Sequence, residues 1–475
     1  MGNHKKLLQF LRPDAAVAAA RSSDDEDDGG GGGYAYSPPT SPSTSASAAT
    51  SAAASPSPWT MSPWAQLPGL GADGADGAGA GKTGLLGSLV KEDGHVYSLA
   101  AAGDLLYTGT DSRNVRVWRD RRELGGFRSG SGLVKAIVVS GDGRIYTGHQ
   151  DGKVRVWRAS EEDPAAHRRV GTLPRLRDVV ASSLRPSRYV RTERRRRSAL
   201  WVRHFDAVSS LSLDAAAGLL YSASWDKTFK VWRVSDSRCL ESVRAHDDAV
   251  NAVAAAGFDA LVFTGSADGT VKAWRREAGG GGGTRHAMER VLRKGESAVT
   301  AIAVAAEARV VYVGSSDGAV AHWQWRRGGA AAEPRSGGAL RGHKMAVLCL
   351  AVAGRVVVSG SADRTISVWR REEGAEHARL AVLTGHTGPV KCVAMDEEED
   401  DAGARGPGGR WWVVYSGSLD GSVKVWRVSD AASPDLAPAR TPAAAAAYAW
   451  KGSPSPLRAW TPYAAPPEPK RLAAA

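Results

Sequence analysis

Four times along the chain a histidine, a hydroxyl residue and an aspartate recur in one order, each set followed by a tryptophan. The sets are His204, Ser222, Asp226, Trp232; His246, Thr264, Asp268, Trp274; His343, Ser359, Asp363, Trp369; and His386, Ser416, Asp420, Trp426. Hydroxyl, imidazole and carboxylate are the groups from which acyl-transfer enzymes build a nucleophile, its base and the base's orienting partner. One such set would suffice for catalysis. Four copies at like positions point to a structural task instead, since triads are defined by site geometry and not by residue types. A second candidate is ADGADGAGAGKTG, which resembles a phosphate-cradling loop. The pattern G-x-x-x-x-G-K-[ST] would need glycine where Asp76 stands, no strand precedes it, and Asp76 would set a carboxylate against phosphate. It reads as a linker. Cys239, Cys349 and Cys392 lie far apart in apolar runs and fit no metal-ligand spacing. No catalytic residue, metal site or cofactor is expected.

What must position these residues is a repeated unit. LLYTGTDSRNVRVW, RIYTGHQDGKVRVW, LLYSASWDKTFKVW, LVFTGSADGTVKAW, VVYVGSSDGAVAHW, VVVSGSADRTISVW and WVVYSGSLDGSVKVW each end on a tryptophan: Trp118, Trp157, Trp232, Trp274, Trp323, Trp369 and Trp426. An aspartate precedes it by six positions in all but the first, at Asp151, Asp226, Asp268, Asp317, Asp363 and Asp420; the first has Ser112 there, after Asp111. Alternating β-branched residues on both sides of an S-x-D-G turn describe strand, turn, strand. Recurrence at about 40–45 residues is the pattern of propeller blades. The fold class expected is therefore all-β, a seven-bladed propeller. The interval from Trp157 to Trp232 spans 75 residues. It contains no additional S-x-D-G line, so an insertion at about 174–200 is expected and an eighth blade is not.

Composition agrees. Glycine is abundant (55), tryptophan high (16) and phenylalanine scarce (6), which suits a sheet-rich fold with tight turns and one large aromatic at a repeated place. Residues 1–84 are low complexity beyond their first few positions, with an acidic run, a glycine run and Ser/Pro/Ala tracts; residues 429–475 are Ala/Pro-rich. Such segments bury too little apolar surface to offset chain ordering, so disordered extensions are expected on both sides of a propeller at 85–428. An acidic loop at about 396–409 accounts for the long seventh repeat. No stretch is long and apolar enough for a membrane helix. LLQFL is too short for a signal-peptide core, and Lys6 stands where an N-myristoylation motif starting at Gly2 wants Ser or Thr. A reducing cytoplasmic or nuclear compartment fits the three scattered cysteines.

The net charge of +12 favours acidic partners in general. Its densest patch is Arg194, Arg195, Arg196 and Arg197, readable as a nuclear-localisation signal, an anionic contact or a solvated loop. Few aromatics interleave these arginines, so nucleic acid is disfavoured as a partner. Ser-Pro and Thr-Pro pairs in the flanks, Ser37, Ser41, Ser55 and Thr441 among them, suit proline-directed phosphorylation or plain disorder.

On these motifs the chain resembles the WD-repeat superfamily over residues 85–428. The resemblance implies blades of four antiparallel strands, tied by a buried His–Ser/Thr–Asp–Trp hydrogen-bond network formed here by the four sets above. The physical logic is sound: a buried carboxylate needs donors, and imidazole, hydroxyl and indole N–H complete the relay. Aligned on the valine after the histidine turn, the other blades have Glu92, Gly130 and Gly295 in the histidine's place, and Val313 replaces one hydroxyl. No repeat ends in Trp-Asp. Six end in Trp-Arg and one in Trp-Gln, which disfavours a ubiquitin-ligase substrate receptor. The phrases KTGLLGSLVKEDGHVYSLA, SGLVKAIVVSGDGRIYTGHQDGKVRVW, LYSASWDKTFKVWR and LTGHTGPVKCVAMD are similar to plant JINGUBANG-type WD-repeat proteins. That similarity implies a non-enzymatic scaffold with protein partners and a regulatory role in plant growth or signalling, and a monomeric propeller is expected; a nucleic-acid-associated basic propeller is the rival. It also implies a partner-binding rim at the residues flanking the turn aspartates and histidines, here Trp225, Leu419, Gln150, Asp206, Asp248 and Met345. Trp225 is expected to be its exposed anchor. Finally, SDAASPDLAP after the last repeat is poor strand material, so Leu85 to Val90 is expected to supply the missing outer strand.

Overall fold

The computed structural model describes residues 83–430, apart from short segments at 91–93, 132, 161, 164, 185–188, 192–197, 279–283, 327–332, 373–375 and 399–409. Seven four-stranded antiparallel sheets follow one another. Six are simple meanders in chain order. The seventh takes its inner three strands from Val390–Glu397, Trp411–Ser418 and Ser422–Ser429, and its outermost from Gly84–Val90. That first strand runs antiparallel to Ser422–Ser429, from Gly84 opposite Arg427 to Val90 opposite Ser422. The innermost strand of each blade packs on that of the next, and the last packs on the first, closing a ring. The protein is a seven-bladed β-propeller.

The long second-to-third interval holds a helix, Leu176–Ser183, and a two-stranded ribbon, Tyr189–Arg191 with Ser198–Leu200. It is an insertion, not a blade.

The core lies between blades. The large clusters mix side chains of two neighbouring sheets, as where Tyr107, Val115 and Val117 of blade one meet Val134, Ile145 and Trp157 of blade two. Close approach depends on the small residue in the second strand. A Cβ added at Gly265 would come 2.4 Å from Val299 of the next blade, and one at Gly417 would come 2.6 Å from Val96 across the closure. Both distances are far inside van der Waals contact, so only glycine fits.

Three of the seams carry an additional polar clasp. Tyr107 Oη meets His167 Nε2 at 3.3 Å between blades one and two. Tyr221 meets His286 at 3.3 Å between blades three and four, and Tyr312 meets His377 at 2.8 Å between blades five and six. The second clasp is reinforced by Glu241, which accepts from His286 Nδ1 at 2.7 Å.

A bulge interrupts the pairing of every innermost strand at the same place, one residue after its first valine. The shifts fall at Val96/Ser98, Val134/Ala136, Val208/Ser210, Val250/Ala252, Val299/Ala301, Val347/Cys349 and Val390/Cys392. A bulge re-aims the side chain of its extra residue. Those seven residues are Tyr97, Lys135, Ser209, Asn251, Thr300, Leu348 and Lys391, and all line the central cavity.

Candidate functional site

One face of the ring is made by the turns that carry the aspartates and the loops that carry the histidines. In four blades the two are joined by the same relay. In blade three, Trp232 Nε1 donates to Ser222 Oγ at 2.8 Å, Ser222 lies 2.8 Å from His204 Nε2, and His204 Nδ1 lies 3.0 Å from Asp226. Blade four repeats it with His246 Nε2 2.8 Å from Thr264 and Nδ1 3.2 Å from Asp268. Blade six has His343 at 2.8 Å from Ser359 and 3.2 Å from Asp363; blade seven has His386 at 2.8 Å from Ser416 and 2.9 Å from Asp420. The indole can only donate, so the hydroxyl proton points to Nε2 and the Nδ1 proton to the carboxylate. In that arrangement every group of the relay has a partner.

The carboxylates also fix the loop backbone. Asp226 accepts the N–H of Phe205 at 3.0 Å, and Asp363 that of Lys344 at 2.8 Å. Burial works against the charge on Asp363, yet the bonds from His343 and Thr365 outweigh it and hold the carboxyl well below the usual range. Burial pushes the His204 imidazole down, against Asp226, which keeps it neutral. The four hydroxyls, at Ser222, Thr264, Ser359 and Ser416, are 0 % exposed. Buried in this way, each set ties the second strand of its blade to the histidine loop and the aspartate turn. Among the described residues no group of three or more His, Cys, Asp or Glu side chains is placed to hold a metal ion.

Asp363→Ala strips His343 and Thr365 of their acceptor in a buried site, and is expected to cost about 2–4 kcal/mol. Ser112→Ala in blade one removes only a turn contact to Thr110 and Asn114, expected to cost under ~1 kcal/mol. Equal midpoint shifts in urea titrations of the two variants would refute this assignment.

Blade two corrects the expectation that it lacks the histidine. Gly130 does stand in the usual place, but His149, at the end of the second strand, turns its ring into the vacant volume. Its Nε2 lies 2.8 Å from Thr147 Oγ1, which accepts from Trp157 Nε1 at 2.9 Å, and its Nδ1 lies 3.3 Å from Ser131. Asp151, without an imidazole, is clamped instead by Arg155 through two bonds of 3.2 and 2.7 Å. Blade five has no hydroxyl at Val313, and its Asp317 receives the backbone N–H of Ala319 at 3.0 Å. The place of Glu92 in blade one lies outside the described residues.

The expected rim residues do gather on this face, with differences. Trp225 is not an open anchor. It is half-buried, leaning over the channel mouth against a collar of Ala249, Ala267, Ala298, Leu348 and Ala362, with Lys135 Nζ 4.6 Å from its ring. Tryptophan has too much apolar surface to stand free when small residues offer a floor. Asp206 and Asp248 each cap the next residue, Ala207 and Ala249, at 2.8 Å, so their carboxylates serve their own loops. Leu419 is half-buried, and its carbonyl accepts from His95 across the ring closure. Gln150 is exposed, as is Met345 at 44 %. Phe205, which sequence reasoning passed over, is 41 % exposed beside His204. The signal available was its place directly after a network histidine, where the other three sets have Asp247, Lys344 and Thr387. The Arg194 to Arg197 run and the flanking Ser-Pro and Thr-Pro sites lie outside the described residues, as does Gly2.

A family model described as WD domain, G-beta repeat matches residues 86–119, 122–158, 197–233, 237–275, 335–370 and 378–427. These are six of the blades. The unmatched fifth is the one that lacks histidine, hydroxyl and Trp-Arg together. Fold and repeats define the class: the chain is a seven-bladed WD-repeat β-propeller, an architecture typical of protein-interaction scaffolds. No curated protein matches it. No helix among the described residues is long and apolar enough to cross a membrane.

Proposed function

We propose that the protein is a non-enzymatic scaffold whose His–Asp face receives a protein partner, acting as a regulatory adaptor in plant growth or signalling. The observation that carries this reading is the pairing of two exposed apolar side chains, Phe205 and Met345, with the apolar collar under Trp225 on one face. A face that leaves large apolar groups in water around a packed centre suits a docked protein. The backbone beneath is rigid because the histidine relays hold its loops, so little ordering cost falls on association. The plant regulatory role rests on the sequence similarity to JINGUBANG-type proteins.

The test is affinity capture from plant cells with the full chain, a Phe205→Asp/Met345→Asp double variant, and Val382→Asp as a control. Val382 is 45 % exposed, on the outermost strand of blade six. The double variant should lose the principal partner while its melting temperature stays within about 4 °C of the parent, since exposed substitutions cost little. The Val382 variant should keep the partner. Trp225→Ala should lose it as well, but with a measurable drop in melting temperature because that ring packs on the collar. Full capture by the double variant would place the docking surface elsewhere.

A further inference from the structure

The helix of the insertion is turned the wrong way round for a surface element. Such a helix ordinarily sets its apolar stripe on the core and its polar face in water. In Leu176–Ser183 the order is reversed. Leu176, Val180 and Leu184 recur at four-residue spacing, and backbone bonds from Val179 to Arg175 and from Leu184 to Val180 carry the helical turn through all three. At about 100° per residue they share a stripe about 80° wide. They are 78 %, 51 % and 78 % exposed. Turned inward instead are Ser182, buried with no partner for its hydroxyl among the described residues, and the half-buried Asp178. Val179 packs on the core between blades two and three and pins the helix there.

The charge around the stripe has one sign. Arg177 stands beside it on the helix, largely exposed, with Asp178 3.9 Å away. On the strand that leads into the helix, Arg168 and Arg169 are exposed, and among the described residues no carboxylate pairs with either. In sequence, residues 174–200 hold nine arginines against Asp178 and Glu193, so +7 of the chain's net +12 falls here.

We propose that this helix lies in the surface of an anionic lipid bilayer, with Leu176, Val180 and Leu184 among the acyl chains and Arg177 at the level of the phosphates. An apolar stripe bordered by arginine suits that interface, where acyl chains take the stripe and anionic headgroups the charge. The exposure of the two leucines favours a bilayer over a folded protein. Each stands nearly clear of its neighbours; a fluid phase closes around such a side chain, whereas a protein must present a shaped hole for it. A nucleic acid would use the arginines but would leave the stripe in water. Three side chains make a shallow anchor, so attachment needs the apolar contact and the negative surface together. The inference stands apart from partner docking, because it rests on the insertion and not on Phe205 and Met345.

Sedimentation of the full chain with sucrose-loaded vesicles tests it, using phosphatidylcholine alone and phosphatidylcholine with about 30 % phosphatidylserine, at about 0.1 M salt. The parent should bind the mixed vesicles, and pure phosphatidylcholine at least about tenfold less. Leu176→Asp/Leu184→Asp should weaken binding at least about tenfold and Arg177→Gln about fivefold, while Val382→Asp should leave it unchanged. The double variant should melt with the parent, since both side chains are exposed. A second measurement reports insertion itself. The three native cysteines are buried, so a polarity-sensitive dye can be attached selectively to Leu184→Cys and, in a separate chain, to Val382→Cys. On the mixed vesicles the dye at 184 should shift to the blue and the dye at 382 should not. No sedimentation with the mixed vesicles, undiminished binding by the folded double variant, or bound protein whose dye at 184 shifts no more than that at 382 overturns the proposal. Partner capture should survive Leu176→Asp/Leu184→Asp, and vesicle binding should survive Phe205→Asp/Met345→Asp, so the two readings fail separately.

Discussion

Deleting residues 1–92 should lower the melting temperature of the propeller by about 10 °C or more, whereas deleting residues 1–80 should leave it nearly unchanged. The difference is the strand Gly84–Val90. Within it Leu89 is buried against Val423 and Val425 of the same blade and Leu99 and Leu106 of blade one. Arg121 of blade one donates to the carbonyl of Leu86 at 3.1 Å, and Thr83 Oγ1 accepts from Ser429 at 3.4 Å. Burying one leucine is worth about 1.5–3 kcal/mol, and each net ladder bond about 0.5–1.5 kcal/mol. The total is roughly 5 kcal/mol, which at about 2–4 °C per kcal/mol gives the shift above. The deletion also leaves Ser422–Ser429 as an unprotected edge, so the shorter chain should aggregate at concentrations where the parent does not. Calorimetry on the two truncations decides it: equal transitions would mean that the ring closes without its borrowed strand.

The second large effect is expected at His149. Its ring is fully buried, bonded to Thr147 and Ser131, and His149→Ala should cost about 3–5 kcal/mol through lost bonds and an open cavity. The pH dependence carries a further signature. Burial, aided by Arg155 and opposed by Asp151, lowers the imidazole to about 3. The unfolded chain therefore binds a proton near pH 6.5 that the native state refuses until about pH 3. The stability due to a neutral His149 is complete above pH 6.5 and falls away as pH drops through that window, by about 1.4 kcal/mol per unit. His149→Gln should be less stable than the parent at pH 7 but should close most of that gap by pH 5. Urea titrations at both values measure it; a gap that stays constant would mean that His149 accepts a proton as readily folded as unfolded.

These two sites also mark what the sequence could and could not reveal. The blades were legible because tryptophan, aspartate and alternating β-branched residues recur at fixed offsets, and each offset answers to a geometric need: indole to hydroxyl, carboxylate to imidazole, small residue to the next sheet. The ring closure was legible because a proline-broken tail could not supply an outer strand. His149 was missed because alignment by position asks which residue stands at Gly130, whereas the fold asks which imidazole can reach Thr147. Trp225 was misplaced for a similar reason. Its exposure depends on Ala249, Ala267 and Ala362, which other blades supply and no local pattern announces. The bulges escaped too, since a one-residue irregularity in a strand has no compositional mark. Yet a trace existed: the residue after each blade's first valine changes from Tyr97 to Lys135, Ser209, Asn251, Thr300, Leu348 and Lys391, in strands that are otherwise small and apolar.

The Tyr–His clasps divide the ring unevenly. Blades one and two, three and four, and five and six are bolted in couples, and an odd ring leaves one blade over. That blade is the seventh, the same one whose sheet is assembled from strands at opposite ends of the described chain. Three doublets and a keystone make a different mechanical object from seven equal sectors. Pulled apart or warmed, such a ring is expected to part at the four seams that carry no Tyr–His clasp among the described residues, between blades two and three, four and five, six and seven, and seven and one, so that its doublets come away whole. The keystone alone lies between two such seams, so its innermost strand, Val390–Glu397, is the part of the channel wall held by no clasp on either side.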